Sequence, residues 1–265
     1  MFVGGEGDTT GLKNTQLVDL SITKTCGNLA DYPLGIHDAT GALVSGKPVI
    51  CGGESGNHSH NFHHRECYKY DKSSNTWIFL TNMTKEKSHI ASVPFKGELF
   101  VTGGINADLG SLSTTEFISL EGKVRPGPNL PSPRDSHCMV ILPEGKVMMI
   151  GGGTKEQRKT VMIFEPDSHE RFDKSVPSLT HEAYDAGCAV FKSAKHNYRP
   201  VVLSVGGQEG SFAEVYDYTK TNSTWIESKI HIKEIQIILG LFLVIAMFCQ
   251  AGSSQINQLL NLPRC

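Results

Sequence analysis

Pairs of adjacent glycines recur through this 265-residue chain, and each pair ends a run of mostly apolar residues. The clearest example is the run that begins at Glu98 and stops on Gly103 and Gly104. The first glycines of the successive pairs are 48, 51, 48 and 55 residues apart. A period near 50 residues is typical of a radial array in which each repeat is one small β-sheet. The period therefore predicts an all-β fold of about five repeated units.

Apolar runs of four or five residues favour strands that are buried on both faces, because a half-buried strand would alternate with polar residues. Glycine has no Cβ, so the backbone can take a positive φ there and another segment can approach closely. We expect each pair to close a buried strand at such an approach. The pairs are Gly4 and Gly5, Gly52 and Gly53, Gly103 and Gly104, Gly151 and Gly152, and Gly206 and Gly207.

Two of the units share aromatic residues beyond the glycines. Tyr68 precedes Trp77 by nine residues, Tyr216 precedes Trp225 by nine residues, and an acidic residue stands shortly before each tyrosine. This pattern resembles the kelch repeat family, whose unit is a four-stranded antiparallel blade. In that family a diglycine closes the second strand, an acidic and an aromatic residue lie on the third, and a tryptophan opens the fourth. The resemblance covers about residues 1–228 and implies a β-propeller.

The predicted units cover residues 1–33, 34–85, 86–133, 134–182 and 183–228. The first unit lacks a first strand, so we expect four full blades and a remnant, which is an incomplete propeller. Val124 and Phe172 stand near the tryptophan position of the third and fourth units, and a smaller side chain there predicts a less well filled outer layer. Pro126 and the three prolines that follow it are expected to stop strand pairing, because proline has no N–H.

Residues 229–265 form an atypical C-terminal segment. Its apolar part, residues 235–248, begins at Ile235 and ends at Phe248, with Gln236 as its one polar residue. A membrane helix needs about 20 apolar residues, and this segment is shorter. A closing strand that pairs with the first strand of the chain is a second interpretation, and an altered end that does not pack natively is a third. The sequence leaves these three interpretations open.

Seven cysteines are present, without a CxxC pair or the Cys and His spacing of a zinc site. Cys51, Cys138 and Cys188 fall inside apolar strand patterns, which predicts small buried side chains. A disulfide between Cys26 and Cys67 is a further hypothesis, and it requires an oxidising compartment.

The compartment stays open at this point. No secretory leader follows Met1, which indicates a cytoplasmic protein if the chain is complete as given. The glycosylation sequons at Asn57, Asn82 and Asn222 favour a secreted protein if a leader precedes these residues. Because the first unit begins at a second strand, we expect the natural start to be missing.

The charge pattern and the motifs limit the function classes. A net charge of −2 with both signs interspersed argues against a nucleic-acid partner. The sequence has no phosphate-binding loop of the Walker type and no G-x-S-x-G elbow, and Asp185 stands where a metalloprotease helix starting at His181 would need a second histidine. We therefore predict a protein that is not an enzyme and that needs no cofactor or metal.

A histidine-rich loop follows the second glycine pair. It contains four histidines between residues 58 and 64, and imidazoles bind zinc or copper. No cysteine or carboxylate stands nearby in the sequence to complete a ligand set. We interpret the segment as a solvated polar loop.

Loops between the second and third strands of an antiparallel blade emerge on one face, and they form a rim around the axis. The kelch resemblance implies that this rim is the usual face for binding another protein, and loops on a rigid scaffold often carry binding residues. The candidate binding residues are His58, His60, His63, His64, Arg65, Asn106, Asp108, Lys155, Arg158, Gln208 and Glu209.

The competing function class is a propeller enzyme that resembles galactose oxidase or sialate mutarotase. A copper radical site needs tyrosine, histidine and cysteine side chains that converge on the axis. No residues of this sequence can be matched to that set one by one. We therefore predict a non-enzymatic interaction module with a protein partner.

Overall fold

A computed structural model of the protein describes residues 1–4, 11–16, 18–19, 24–25, 29–57, 60–168, 176–193, 196–208, 210 and 212–228. Several predictions fall on residues outside these ranges: those on Gly5, Cys26, His58, Glu209 and the segment 229–265, including residues 235–248. Within the described ranges, the structure contains no helix with the length and apolar character needed to cross a membrane.

Antiparallel sheets dominate the described chain, and each runs outward in sequence order from its first strand. The sheet of unit two contains Thr40–Val44, Lys47–Cys51, Glu66–Asp71 and Thr76–Asn82. The sheet of unit three contains Ala91–Phe95, Glu98–Thr102, Thr115–Ser119 and Val124–Pro126. The sheet of unit four contains Cys138–Ile141, Val147–Ile150 and Val161–Phe164. The sheet of unit five contains Gly187–Ser193, Arg199–Val205, Ala213–Tyr216 and Ile226–Glu227.

Shorter strand pairs accompany these sheets. In unit one, Phe2–Val3 pairs with Thr15–Gln16, and Val18–Asp19 pairs with Lys24–Thr25. Two further hairpins follow glycine pairs, in units two and three. They join Glu54–Asn57 to His60–His63, and Ile105–Asn106 to Gly110–Ser111.

The sheets are arranged as blades around an axis. The first strand of unit two contacts that of unit three, which contacts that of unit four, which contacts that of unit five. The first strands are therefore innermost, and the later strands lie progressively further out. The predicted all-β fold of antiparallel blades in a β-propeller is confirmed.

The apolar core lies between the blades. Four buried clusters each combine side chains of two neighbouring units. The cluster around Phe191, Val201 and Leu203 is formed, in the described part of the chain, by unit five. This is the face against which a further blade would pack. The proposed closing strand lies outside the described residues and stays a prediction.

The two tryptophans, Trp77 and Trp225, each connect their own blade to the chain of the preceding unit. The indole nitrogen of Trp77 donates to the carbonyl of Ala30 at 3.2 Å, and that of Trp225 donates to the carbonyl of Pro177 at 3.0 Å. Each acceptor lies just under one repeat period before its donor. The apolar body of the ring is buried while the N–H finds a partner, which is how buried tryptophans are usually accommodated.

The equal nine-residue spacing does not reflect equivalent positions. Trp77 pairs in register with Tyr70 and not with Tyr68. Trp225 stacks on Tyr216 with ring centroids 5.2 Å apart. The turns between the third and fourth strands therefore differ in length, so the match in spacing is a coincidence of turn length.

One expectation for unit three is wrong. Pro126 lies within a strand and pairs with Glu116, because the outermost strand leaves one edge unpaired and tolerates a residue without an N–H. Val124, near the tryptophan position, is 36% exposed, which agrees with the expected less well filled outer layer. The guanidinium carbon of Arg125 lies 3.7 Å from the ring centre of Phe117.

The cysteine predictions are corrected by two disulfides. Cys67 is bonded to Cys51 on the neighbouring strand of unit two, and not to Cys26. Cys138 is bonded to Cys188, which joins the innermost strands of units four and five. Cys51 and Cys188 are buried as predicted, and all three cysteines in the apolar strand patterns are cross-linked. Sequence reasoning missed the pairs because strand register and blade contact bring them together.

The disulfide between Cys138 and Cys188 is expected to stabilise the contact between two blades. It closes a loop of 50 residues, which restricts the unfolded chain by about 4 kcal/mol in the chain-entropy estimate. Replacing both cysteines by alanine should lower the free energy of unfolding by about 2–4 kcal/mol. Urea unfolding with and without a phosphine reductant measures this. If reductant leaves the midpoint of the unreplaced protein unchanged, the pairing is contradicted.

Candidate functional site

The hairpins after the glycine pairs form neighbouring parts of one rim. In unit two the hairpin ends at His63, whose Nδ1 lies 3.0 Å from the carbonyl oxygen of Ile105 at the start of the unit-three hairpin. Backbone pairing fixes both hairpins to the chain that enters each blade. Glu54 pairs with His37, and Ile105 pairs with Ser88.

The entering chain of each blade also forms a hydrogen-bonded series around the axis. His89 N donates to Asp38 O at 3.0 Å, Ser136 N donates to His89 O at 3.0 Å, and Asp185 N donates to Ser136 O at 3.1 Å. All four residues have a positive φ, between 51° and 58°. They stand one repeat apart at the start of the innermost strands, and together they define what we call the axial mouth. It opens on the same face as the rim.

Glu54 is the central acid beside the axial mouth, and it is 7% exposed. Its Oε2 accepts a hydrogen bond from Ser88 Oγ at 2.9 Å and lies 3.2 Å from His63 Nε2. Its Oε1 lies 3.6 Å from His37 Nδ1. Burial raises the pKa of Glu54, but the hydrogen bonds from His63 and Ser88 and the charges of His37 and His89 outweigh burial and hold the pKa at about 2.

Two histidines, His63 and His37, each contact a carboxylate beside the axial mouth. The hydrogen bond to Glu54 raises the pKa of His63, against the effect of burial. A protonated His63 can donate from both ring nitrogens, to Glu54 and to the Ile105 carbonyl. His37 Nδ1 lies 2.7 Å from Asp38 Oδ2. The arrangement can bind a proton or a metal ion between imidazole and carboxylate groups.

Asp185 is the acid on the opposite part of the mouth. Burial raises its pKa, and the charge of Asp38 adds to that shift while the charge of His89 opposes it. Gln208 Nε2 donates to Asp185 Oδ2 at 3.2 Å. The neighbouring Tyr184 hydroxyl lies 3.0 Å from Asp135 Oδ2. The mouth is therefore a polar surface in which acids are held by neighbouring donors.

The inner strands line an open apolar pocket of about 440 Å³ further along the blades. Its lining comes from the first strands of units three, four and five, with Pro94, Ile141 and Val190 among its members. The axial region therefore changes in character, from a polar mouth to an apolar interior.

Comparison with solved structures identifies a propeller of similar arrangement. The structure of YjhT matches with a TM-score of 0.61 at 14% identity, and the match covers 85% of this chain and 82% of YjhT. At this identity the likeness concerns the fold.

Sequence comparison finds Kelch-like proteins. Human Kelch-like protein 33 is 28% identical over 128 residues, which is 47% of this chain and 24% of that protein. Zebrafish (Danio rerio) Kelch-like protein 31 is 32% identical over 83 residues, which is 30% of this chain and 13% of that protein. The human Kelch-like protein 31 is 31% identical over 91 residues, 33% of this chain and 14% of that protein. The chain is therefore similar to Kelch-like proteins, and its repeats resemble those of the kelch repeat family. No family model matches it, and the matched segments span less than a quarter of each relative's length.

The propeller places the predicted binding residues in different settings. Arg65, Asp108, Lys155 and Gln208 are exposed on the rim. His64 is half-buried, and its Nε2 lies 2.8 Å from Ser55 Oγ. His60 begins the second strand of the unit-two hairpin.

Two candidate residues, Arg158 and Asn106, make more contacts within the protein than expected. The guanidinium of Arg158 lies 3.2 Å from Glu182 Oε2 and above the ring of Tyr184. Asn106 was expected to be exposed in a loop, and it is 4% exposed. Its amide nitrogen donates to Glu86 O at 2.8 Å, and its Oδ1 accepts from the backbone nitrogens of the turn that follows. Asn106 is therefore a structural residue of the hairpin.

Sequence reasoning missed several residues of this face of the propeller. Phe62 and Leu109 are 67% and 56% exposed, on adjacent rim hairpins. A large apolar residue inside an otherwise polar loop is the signal that could have singled them out. His37 and Glu54 were missed because they come from a blade entrance and a loop start. The argument that no carboxylate accompanies the loop histidines is thus corrected by the contact of Glu54 with His63.

Proposed function

We propose that this kelch propeller is a non-enzymatic module that binds a segment of a partner protein on its rim. The observation that carries the proposal is the exposure of Phe62 and Leu109 on two neighbouring hairpins of that face. Large apolar side chains exposed on a rigid support are typical of protein-binding sites, where they fill pockets of the partner and supply much of the affinity.

Strand pairing and hydrogen bonds hold in place the two hairpins that carry these side chains. The strands Glu54–Asn57 and His60–His63 pair with each other, and the contact of His63 with the Ile105 carbonyl joins them to the next hairpin. Asn106 fixes the turn that carries Leu109 by accepting a hydrogen bond from the Leu109 nitrogen at 3.1 Å. A preorganised surface loses little conformational entropy on binding, which favours affinity.

The exposed polar residues around the two anchors suit the outer part of an interface. Arg65 and Asp108 lie on the same hairpin segments, and Lys155 and Gln208 lie on the loops of the following units. Such residues exclude water and add specificity, while each contributes little affinity. The similarity to Kelch-like proteins supports a protein partner, and it does not identify that partner.

Replacing Phe62 by serine is expected to weaken partner binding by at least about tenfold, because an anchor side chain contributes more than about 1 kcal/mol. Peptides selected from a random displayed library against the unreplaced protein serve as the probe. Their affinity for each variant is measured by fluorescence anisotropy, and circular dichroism checks the fold.

Phe79→Ser is the matched control. Phe79 is 52% exposed, but it lies on the outer strand of unit two, away from the rim. Phe79→Ser should leave the affinity for the selected peptides unchanged. Leu109→Ile should also leave it unchanged, because it keeps an apolar side chain at the second anchor. Equal affinity of Phe62→Ser and the unreplaced protein for every selected peptide would exclude this face.

The proposal also treats the module as lacking catalytic activity. The mouth acids are engaged by neighbouring groups: Glu54 by Ser88 and His63, and Asp185 by Gln208. Oxidase assays during a copper titration test the competing propeller enzyme. Turnover that rises with bound copper would contradict the proposal.

A further inference from the structure

Three potential metal ligands converge beside the axial mouth, from two separate parts of the chain. His37 Nδ1, Asp38 Oδ2 and a Glu54 carboxylate oxygen all lie within 4.8 Å of one another. His37 Nδ1 is 2.7 Å from Asp38 Oδ2 and 3.6 Å from Glu54 Oε1. In a tetrahedral zinc site with bonds of about 2.0–2.1 Å, neighbouring ligand atoms are about 3.3 Å apart. The cluster therefore needs only small side-chain shifts to reach that geometry.

The backbone holds these three residues in place. His37 N donates to Glu54 O at 3.0 Å, and Glu54 N donates to His37 O at 2.9 Å. Asp38 has a φ of 51°, and its carbonyl accepts from His89 N, which fixes the turn at the blade entrance. Side chains from such a constrained backbone lose little freedom when they bind an ion.

Neighbouring groups also orient the Glu54 carboxylate. Ser88 Oγ and His63 Nε2 contact Oε2, at 2.9 and 3.2 Å, and they turn Oε1 toward His37. Outer groups of this kind set the direction of a metal ligand and often affect metal affinity 10–100-fold. A ligating carboxylate must be ionised, as a glutamate ordinarily is at neutral pH.

A fourth imidazole or carboxylate group is needed to close the ligand set, and His89 supplies one. Its Nδ1 is buried, makes no hydrogen bond with any described residue, and lies 3.9 Å from Asp38 Oδ2. Because a buried polar atom without a partner is uncommon in a folded protein, it indicates an interaction with something else.

We propose that His37, Asp38 and Glu54 bind one Zn²⁺ ion at the axial mouth, with His89 as the fourth ligand. Two imidazoles and two carboxylates form a mixed nitrogen and oxygen set. Imidazole favours zinc and its neighbours in the first transition row, whereas Ca²⁺ and Mg²⁺ prefer oxygen ligands throughout. The site lies on the binding face and does not depend on the proposed partner.

The test is a titration of the metal-free chain with ZnCl₂ in competition with a chromophoric chelator. We expect one equivalent to bind, and Glu54→Gln to lower the affinity at least 100-fold while keeping the hydrogen bond to Ser88. Asp38→Asn is a second variant with the same expectation. The Zn²⁺-dependent rise in melting temperature should be lost in both, while their melting temperatures in EDTA show whether the fold is intact.

Two control variants separate this site from adventitious binding by histidine. His196→Ala removes an imidazole near the start of the second strand of unit five and should leave the affinity unchanged. His64→Ala removes a rim imidazole outside the ligand set and should also leave it unchanged. The proposal is overturned if His64→Ala weakens binding as much as Glu54→Gln does. It is also overturned if Zn²⁺ binds no more tightly than Mg²⁺, in which case His37 and Asp38 form an ion pair only.

Discussion

Glu116→Ala is expected to destabilise the protein by about 3–5 kcal/mol, because it leaves a buried lysine without its counter-charge. Lys87 is 1% exposed, and its ammonium lies 2.7 Å from Glu116 Oε1. Burial raises the pKa of Glu116, but the charge of Lys87 and the hydrogen bonds from Lys87 and Thr84 outweigh it, so the pKa stays below its ordinary value. Glu116 also accepts a hydrogen bond from Thr84 N at 3.0 Å.

Urea unfolding measures this effect, and Glu98→Ala is the matched control. Glu98 pairs with Arg125, whose side chain is 48% exposed, and exposed ion pairs contribute about 1 kcal/mol or less. The double replacement Lys87→Met with Glu116→Leu should recover most of the loss, since apolar side chains can replace a buried ion pair at little cost. If Glu116→Ala and Glu98→Ala lower the free energy of unfolding by similar amounts, the buried ion pair stabilises the protein no more than the exposed one does.

The same type of contact recurs in unit five. Glu214 accepts hydrogen bonds from Thr180 N at 2.9 Å and His181 N at 3.0 Å. In both units a third-strand carboxylate therefore holds the chain that enters the blade. This explains physically why an acidic residue stands on the third strand of such a unit.

Gly103→Ala is expected to cost about 4 kcal/mol, the second large effect. Gly103 has a φ of +59°, and a Cβ there would overlap the carbonyl oxygen of Arg134. That carbonyl accepts a hydrogen bond from Gly104 N at 2.9 Å, so it cannot move without breaking the contact. The left-handed backbone costs about 1–2 kcal/mol for an alanine, and displacing packed atoms adds about 1–3 kcal/mol.

Gly145→Ala separates these two contributions. Gly145 has a φ of +87° and no atom within 4 Å of a Cβ added to it, so alanine there meets the backbone cost without the overlap. Thermal unfolding of both variants should show the larger loss for Gly103→Ala by about 2 kcal/mol or more. Equal losses would mean that close approach at Gly103 has no role.

The period of the glycine pairs was sufficient to predict the all-β blades, because each unit repeats the same local pattern of strand, glycine pair and strand. The apolar run that ends on Gly103 was predicted as a buried strand, and Leu99, Phe100 and Val101 are buried in the strand Glu98–Thr102. These features depend on neighbours in the sequence. Local propensity and hydrophobic pattern are enough to specify them.

Other features depended on residues that are far apart in the chain. The disulfide between Cys138 and Cys188 and the ion pair of Lys87 with Glu116 each join segments that meet only when two blades pack. The contact of Trp225 with Pro177 is of the same kind. No spacing rule predicts these pairs, because turn and crossing lengths vary between units.

The sequence by itself determined the kelch repeat, the blade order and the face on which variable loops collect. The tertiary structure decided which rim residues are available for binding, exposing Phe62 and burying Asn106. It also decided that His37 meets Glu54 beside the axis. The reason is that strands follow from the hydrophobic periodicity of residues close together in the sequence. Side-chain contacts between blades depend instead on how the blades pack around the axis, which brings distant segments together.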